Sequence, residues 1–210
     1  EITVKKEWSV FIFMAANNDL SPYSDLDLAE ISESFSNNNS ESVNIVIERY
    51  SKDKTPERLY WKNRSFKSIG FSDDQKHQSV RLAKFLQWGQ RFFPAKKQAL
   101  ILWGHGEGYL GNNIKNRTIG GVLFDDALKS PLSITDLEKL LPKDIDLLIF
   151  DACLMQSVEV ISELKTRVPY IVGSAQIQDY LGLPYQEVAE FLIANPKVSA
   201  HHFSKEIVSL

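Results

Sequence analysis

The sequence predicts an α/β protein with a mainly parallel central sheet and helices on both faces of that sheet. Two observations lead to this prediction: apolar runs without polar alternation, and stretches between them that carry helical periodicity or helix caps. A strand that is apolar at nearly every position is covered on both faces, as in a parallel sheet. With 43% apolar side chains over 210 residues, the chain can bury a sizeable core. We expect one domain over residues 1–210.

The N-terminal part begins with an apolar run, Trp8–Ala15, which predicts a strand covered on both faces. Ser21-Pro22 then supplies an N-cap and a first-turn proline for a helix that reaches about Phe35. Val43–Tyr50 is the second predicted strand, and the polar-aromatic stretch RLYWKNRSF is a hairpin or a sheet edge.

Two capping boxes predict helix starts, Ser72 with Gln75 and Thr135 with Glu138. After the first box, apolar residues recur at helical spacing: Leu82, Phe85, Leu86, Phe92 and Phe93. The apolar run Gln98–Trp103 lies between these two helices and is the third predicted strand.

The rest of the chain continues the alternation. GGVLFDD is a short β element near residue 120, Ile145–Phe150 and Tyr170–Gly173 are the fourth and fifth strands, and a helix extends from Tyr185 to about Ala194. The helix after the fourth strand has an apolar face that consists of Val158, Ile161 and Leu164. The last predicted helix of the chain has an apolar face that consists of Phe203, Ile207 and Leu210. Because the last helical pattern continues to Leu210, we expect more chain downstream.

Charge and cysteine content exclude several classes of protein. The 24 Lys and Arg residues are balanced by 27 Asp and Glu residues without a basic face, which argues against a nucleic-acid partner. No apolar run reaches the ~18 residues of a membrane span. The single cysteine, Cys153, cannot form an intrachain disulfide or a paired-cysteine zinc site, so we expect no metal site.

Two reactive side chains follow separate predicted strands. His105 comes directly after the third strand, and Cys153 comes directly after the fourth. Because the carboxyl ends of parallel strands meet at one sheet edge, we expect these side chains to lie together. A thiolate attacks carbonyl carbon, and an imidazole can take the thiol proton and protonate a leaving amine. The pair predicts thiol catalysis, with the amides of Gly106 and Cys153 as oxyanion donors and glycines that let a substrate backbone approach.

Each residue alone has a simpler explanation. A single buried cysteine is usually a small apolar side chain, and a single loop histidine is usually only hydrogen-bonded. Their combination, with a glycine on either side of His105, favours catalysis over both explanations.

Three segments in this order, WSVFIFMAANNDL, LILWGHGEGY and IDLLIFDACLMQSVEVISEL, resemble the clostripain family of cysteine endopeptidases. The resemblance covers most of the chain and implies a caspase-like three-layer α/β sandwich. It also implies that His105 and Cys153 form a catalytic dyad, and that peptide or protein substrates are cut after Arg or Lys.

The family places a carboxylate near the nucleophile to receive the basic P1 side chain, which precedes the cleaved bond. By position, Asp151 in DAC matches that carboxylate, and a charge-assisted pair there would reward cationic residues. The alternative is that Asp151 caps backbone amides at the following helix start. Asp179, in QIQDYLGLPY, is a second candidate for this pocket or else a solvated turn residue.

The resemblance also bears on maturation and location. Relatives are commonly activated by a cut between the histidine and cysteine segments, so we expect self-cleavage at Lys115, Arg117 or Lys129, with plain surface charge as the alternative. No cofactor is expected, but a calcium requirement stays open because it occurs in some relatives. A secreted or cell-envelope location is expected.

Two other functions stay open on the sequence alone. The first is a catalytically inactive caspase-like binding module, which holds ligands or partners without turnover. The second is a thiol hydrolase of another type, which acts on esters or non-peptide amides without a preference for basic residues.

Overall fold

A mostly parallel sheet lies at the centre of the structure, a computed structural model that describes residues 5–38, 40–73, 75–109, 120–128 and 131–210. The strands within these ranges are β1 (Lys6–Ala16), β2 (Val43–Ser51), β3 (Glu57–Lys62), β4 (Ser65–Gly70), β5 (Ala95–Trp103), β6 (Leu147–Asp151) and β7 (Tyr170–Val172). They form one sheet in the order β4-β3-β2-β1-β5-β6-β7. Strands β2, β1, β5, β6 and β7 are parallel, and β3 and β4 form an antiparallel hairpin at the β2 edge.

Helices cover both faces of this sheet. The helices of the described residues are α1 (Ser21–Asn37), α2 (Gln78–Phe92), α3 (Ile134–Leu140), α4 (Val158–Leu164), α5 (Tyr185–Ala194) and α6 (Ala200–Ser209). Apolar residues of α1, α5 and α6 pack on one face, and those of α2, α3 and α4 pack on the other. The predicted parallel sheet with two helical layers is therefore confirmed.

Strand β1 shows why its sequence carries no polar alternation. Trp8, Val10 and Ile12 face the core under α1, α5 and α6, whereas Phe11 and Phe13 face the core under α2. All five side chains are buried, and each large apolar side chain contributes about 1.5–3 kcal/mol when it leaves water. The switch in connection direction at β1 opens a crevice at the carboxyl ends of the central strands.

The predicted strands are all present, but both capping boxes are wrong. Helix α2 begins at Gln78 after His77, which makes no side-chain cap. Ser133, not Thr135, caps α3 by accepting the Asp136 N–H at 3.1 Å. Cap patterns of Ser, Thr, Asp and Glu overlap in polar stretches, so the sequence alone offers more than one helix start.

Three smaller elements also test the sequence interpretation. RLYWKNRSF is the β3–β4 hairpin, and it also forms one edge of the sheet. GGVLFDD forms no strand, because Val122 makes only isolated bridges to Gly106 and Leu132. On the last helix Phe203 and Ile207 are buried, whereas Leu210 is 50% exposed and leaves the predicted face. Within the described parts of the chain, every helix is too short or too polar to cross a membrane.

Candidate active site

The two predicted reactive residues lie on adjacent loops at the carboxyl end of the sheet. Trp103, the last residue of β5, pairs in register with Asp151, the last residue of β6. The Gly104 N–H donates to the Asp151 carbonyl at 3.1 Å, so β5 and β6 end at the same level of the sheet. His105 and Cys153 each lie two residues beyond the paired residue of their strand.

Close packing between the two loops requires a glycine at position 106. A Cβ atom on Gly106 would lie 2.5 Å from the carbonyl oxygen of Cys153 and 3.0 Å from the Met155 sulfur. The sequence interpretation assigned the free space at this glycine to an approaching substrate. The structure corrects that assignment, because the cysteine loop itself occupies the space.

His105 and Cys153 line one pocket, whose volume is about 210 Å³. The other lining residues include Leu20, Trp103, Asp151, Gln178, Asp179 and Tyr180. The Sγ atom of Cys153 accepts the backbone N–H of Gln178 at 3.3 Å. The loop after β7 thus touches the thiol and closes one side of the pocket.

The backbone around Cys153 is arranged for further polar contacts. Within the described ranges, no hydrogen bond engages the N–H of Gly106 or of Cys153, the two predicted oxyanion donors. Leu154 follows with φ 63°, a left-handed conformation that costs a non-glycine residue about 1–2 kcal/mol. Its N–H donates to the Gln176 carbonyl at 3.1 Å, which helps hold the strained turn.

Asp151 forms the buried acidic part of this pocket. Its carboxylate accepts the hydroxyl of Tyr185 at 3.0 Å and the N–H of Leu183 at 3.4 Å. Burial raises the pKa of Asp151 to about 6, although these two donors lower it in part. The alternative role as a cap of the following helix is wrong, because Ser157 caps α4 instead.

Asp179 lies at the exposed part of the same pocket. Its Oδ1 accepts the Leu181 N–H at 3.1 Å, and its carbonyl accepts the Gly182 N–H at 3.0 Å. Asp179 is therefore both a turn residue and a pocket residue, so the two interpretations of this position are compatible.

A second buried carboxyl group, Asp27, was not expected from the sequence. It lies on α1 and accepts the indole N–H of Trp103 at 2.6 Å. Burial first, and then the negative charge of Asp151, raise the pKa of Asp27 to about 8. No local sequence pattern indicates that Asp27 is buried at this site, because its partners, Trp103 and Asp151, come from β5 and β6.

A third carboxylate, Asp19, contacts the candidate catalytic histidine. Its Oδ1 lies 2.7 Å from the Nε2 of His105, and this hydrogen bond lowers the pKa of Asp19. No role was assigned to Asp19 from the sequence, although the residue lies in one of the segments that carry the family resemblance. The signal that identifies Asp19 is its place after β1, at the same sheet edge as His105 and Cys153.

The remaining site predictions concern cleavage and metals. Lys115, Arg117 and Lys129 lie outside the described residues. Across the described ranges, no three His, Cys, Asp or Glu side chains group as a metal site.

Comparison with solved structures gives two close folds. A secreted C11 cysteine protease from Bacteroides thetaiotaomicron, in complex with an irreversible peptide inhibitor, is 25% identical with a TM-score of 0.78. The match covers 97% of this chain and 59% of that protein. An inactive zymogen C11 protease from Parabacteroides distasonis is 24% identical with a TM-score of 0.72, over 92% of this chain and 55% of that one. The present chain thus spans less than two thirds of either protein.

Sequence comparison gives a family but no individual relative. A search of curated proteins finds no significant match. The profile of the clostripain family, Peptidase_C11, matches residues 12–210. Because this match extends over nearly the whole chain, the protein belongs to the clostripain family of cysteine peptidases.

Proposed function

We propose that this protein is a cysteine endopeptidase that cleaves peptide bonds after Arg or Lys. The observation that carries the proposal is that one pocket joins a thiol, an imidazole and a buried carboxylate, those of Cys153, His105 and Asp151. A nucleophile, an acid–base group and a charge selector are the three functions that such a reaction needs.

The proposed reaction proceeds through a thioester. His105 takes the proton of Cys153, and the sulfur attacks the carbonyl carbon of the scissile bond. The N–H groups of Gly106 and Cys153 stabilise the oxyanion. His105 then protonates the leaving amine, the C–N bond breaks, and the acyl group stays on the sulfur. Water, deprotonated by His105, hydrolyses the thioester and restores the thiol.

The proposed selectivity comes from the acidic wall of the pocket. Asp151 lies inside the pocket and Asp179 at its exposed part, so a long cationic side chain would meet both carboxylates. An ion pair with a buried carboxylate is favourable for Arg or Lys, whereas a neutral side chain would leave that carboxylate unpaired.

The similar structures support two further parts of the proposal. One of those proteins is described as secreted and the other as an inactive zymogen. We therefore propose a secreted or cell-envelope location and activation by cleavage between His105 and Cys153. The cut after Lys115, Arg117 or Lys129 would use the enzyme's own preference for basic residues.

A labelling and turnover experiment tests the proposal. The protein is treated with an Arg or Lys chloromethylketone, and peptide amides with Arg, Lys or neutral P1 residues are assayed in parallel. We expect alkylation of Cys153, loss of turnover in Cys153→Ala, and loss of both in His105→Ala. His201→Ala removes an exposed imidazole on α6 and serves as the matched control, with activity unchanged.

The same experiment separates the alternatives. A folded protein that has been cut between His105 and Cys153 and still shows neither labelling nor turnover is the catalytically inactive binding module. Turnover of esters or non-peptide amides without a basic preference identifies another class of thiol hydrolase. Either result contradicts the proposed endopeptidase.

A further inference from the structure

The contact between Asp19 and His105 joins two loops that are distant in sequence. The Asp19 carboxylate and the His105 Nε2 are 2.7 Å apart, within hydrogen-bond distance. Both side chains are accessible, with 68% of the Asp19 side chain and 37% of the His105 side chain exposed. An exposed ion pair contributes little to stability by itself, so stability does not explain the arrangement.

The loop that carries Asp19 is held by buried hydrogen bonds. The Asn18 side chain donates to the carbonyls of Ala15 at 3.0 Å and Phe124 at 2.8 Å, and it accepts the Leu20 N–H at 2.9 Å. Asn18 itself is only 3% exposed. The residues on both sides of Asp19 are therefore fixed, which keeps Asp19 within reach of His105.

A second set of contacts fixes the same loop against α2. Asn17 donates to Asp125 at 2.8 Å, and the other oxygen of Asp125 accepts from Arg81 at 2.7 Å. The Asp126 N–H donates to the Asn17 carbonyl at 2.9 Å. The Leu123 N–H in this segment also donates to the carbonyl of His105 at 3.0 Å, so one network anchors both partners.

From this geometry we infer that Asp19 is a positioning residue that orients the His105 imidazole toward Cys153. When Asp19 accepts the proton on Nε2, the neutral histidine carries its free lone pair on Nδ1, which is the nitrogen left for the thiol. The carboxylate also stabilises the imidazolium that forms when the thiol proton is transferred. The inference rests on the proposed function for its catalytic consequence.

Other charged groups near this pair must be considered in a pH experiment. Cys153, Asp151 and Asp179 line the same pocket as His105. Lys52 acts on Asp19 from the turn after β2. Of these groups only Asp19 forms a hydrogen bond with the imidazole within the described residues.

The test compares Asp19→Asn and Asp19→Ala with Asp53→Asn, which removes an equal charge from an exposed turn. Iodoacetamide alkylation of Cys153 is measured from pH 5 to 9, because it reports the thiol–histidine pair without peptide cleavage. Turnover of an Arg amide gives kcat and KM. Asp19→Ala should lower kcat about 10- to 100-fold with little change in KM, the loss expected for a charge-assisted hydrogen bond.

The pH profile is the readout that distinguishes orientation from general stability. Asp19→Ala removes the negative charge that faces the imidazole, so the pH profile of Cys153 alkylation should shift relative to that of the wild type. Asp19→Asn should show the pH shift with a smaller loss of kcat, since its amide oxygen can still accept from Nε2. Wild-type alkylation, kcat and pH profile in Asp19→Ala would overturn the inference. A shifted alkylation profile with no peptide cleavage by the wild type would refute the proposed function but keep the Asp19 assignment.

Discussion

Replacing the buried Asp27 carboxyl with an amide should stabilise the protein at alkaline pH. Asp27→Asn keeps an oxygen that can accept the Trp103 indole N–H at 2.6 Å but removes the group that must lose a proton. The pKa of Asp27 is raised from 3.8 to about 8, mainly by burial and next by the charge of Asp151. The native state therefore penalises the charged carboxylate.

The size of the effect follows from proton linkage. Below the ordinary pKa of 3.8 both folded and unfolded chains hold the proton, and Asp27 carries no penalty. As the pH rises toward about 8 only the folded chain holds it, so the free energy of unfolding falls throughout this window. A tenfold change in proton affinity corresponds to about 1.4 kcal/mol. The rise of the pKa from 3.8 to about 8 therefore sets an upper limit of about 6 kcal/mol on the loss of unfolding free energy. Because water entry and local relaxation reduce such penalties, we expect a gain of about 3 kcal/mol at pH 8.

Urea unfolding followed by tryptophan fluorescence measures this gain. The variants are made in a Cys153→Ala background, so that proteolysis does not interfere. The stabilisation by Asp27→Asn should grow from pH 5 to pH 8, whereas Asp53→Asn in an exposed turn should show no such growth. A gain that is equal at both pH values, or a loss at pH 8, would refute the reasoning.

The remaining predictions concern selectivity, packing and metals. Asp151, with a pKa of about 6, becomes charged as the pH rises. The ratio of kcat/KM for an Arg substrate to kcat/KM for its neutral isostere citrulline should therefore increase from pH 5 to 8. A constant ratio would contradict the role of Asp151 in selecting basic P1 residues. Gly106→Ala places a Cβ 2.5 Å from a backbone oxygen and should lower Tm through a loss of about 1–3 kcal/mol, together with slower alkylation of Cys153. Gly70→Ala, with nothing within 4 Å of the new Cβ, should change neither property. Since a thiol–imidazole pair needs no metal for acyl transfer, EDTA should leave turnover unchanged, and activity restored by added calcium would show a requirement.

Long-range burial explains why the strands could be predicted and the caps could not. Strands such as β1 and β6 are covered on both faces, so their sequences are apolar nearly throughout. The starts of α2 and α3 lie in polar stretches where Ser72 and Thr135 match cap patterns. In the structure α2 begins after His77 without a side-chain cap, and α3 begins after Ser133. Before α2, the Asp73 carboxylate pairs with the buried Arg81 of the helix at 2.6 Å, a contact that cap patterns do not reveal.

In the candidate site, too, some residues could be predicted from the sequence and others could not. His105 and Cys153 were predictable, because a rule for the carboxyl ends of parallel strands locates any residue that follows such a strand. Asp19 obeys the same rule, but short polar residues are common in turns, so its position in the sequence does not indicate a role in the site. Asp27 lies on a helix, and its contact with Trp103 depends on how α1 packs against the sheet. No local pattern contains that information.

The central position of β1 has a consequence for synthesis on the ribosome. Trp8 pairs with Val43 on one side but with Lys97 on the other, so the second neighbour of β1 emerges much later than the first. Until then a nascent chain presents one bare edge of its most apolar strand, the kind of surface that attracts misassembly and chaperones. Translation through β5 is the earliest stage at which that edge can be sealed.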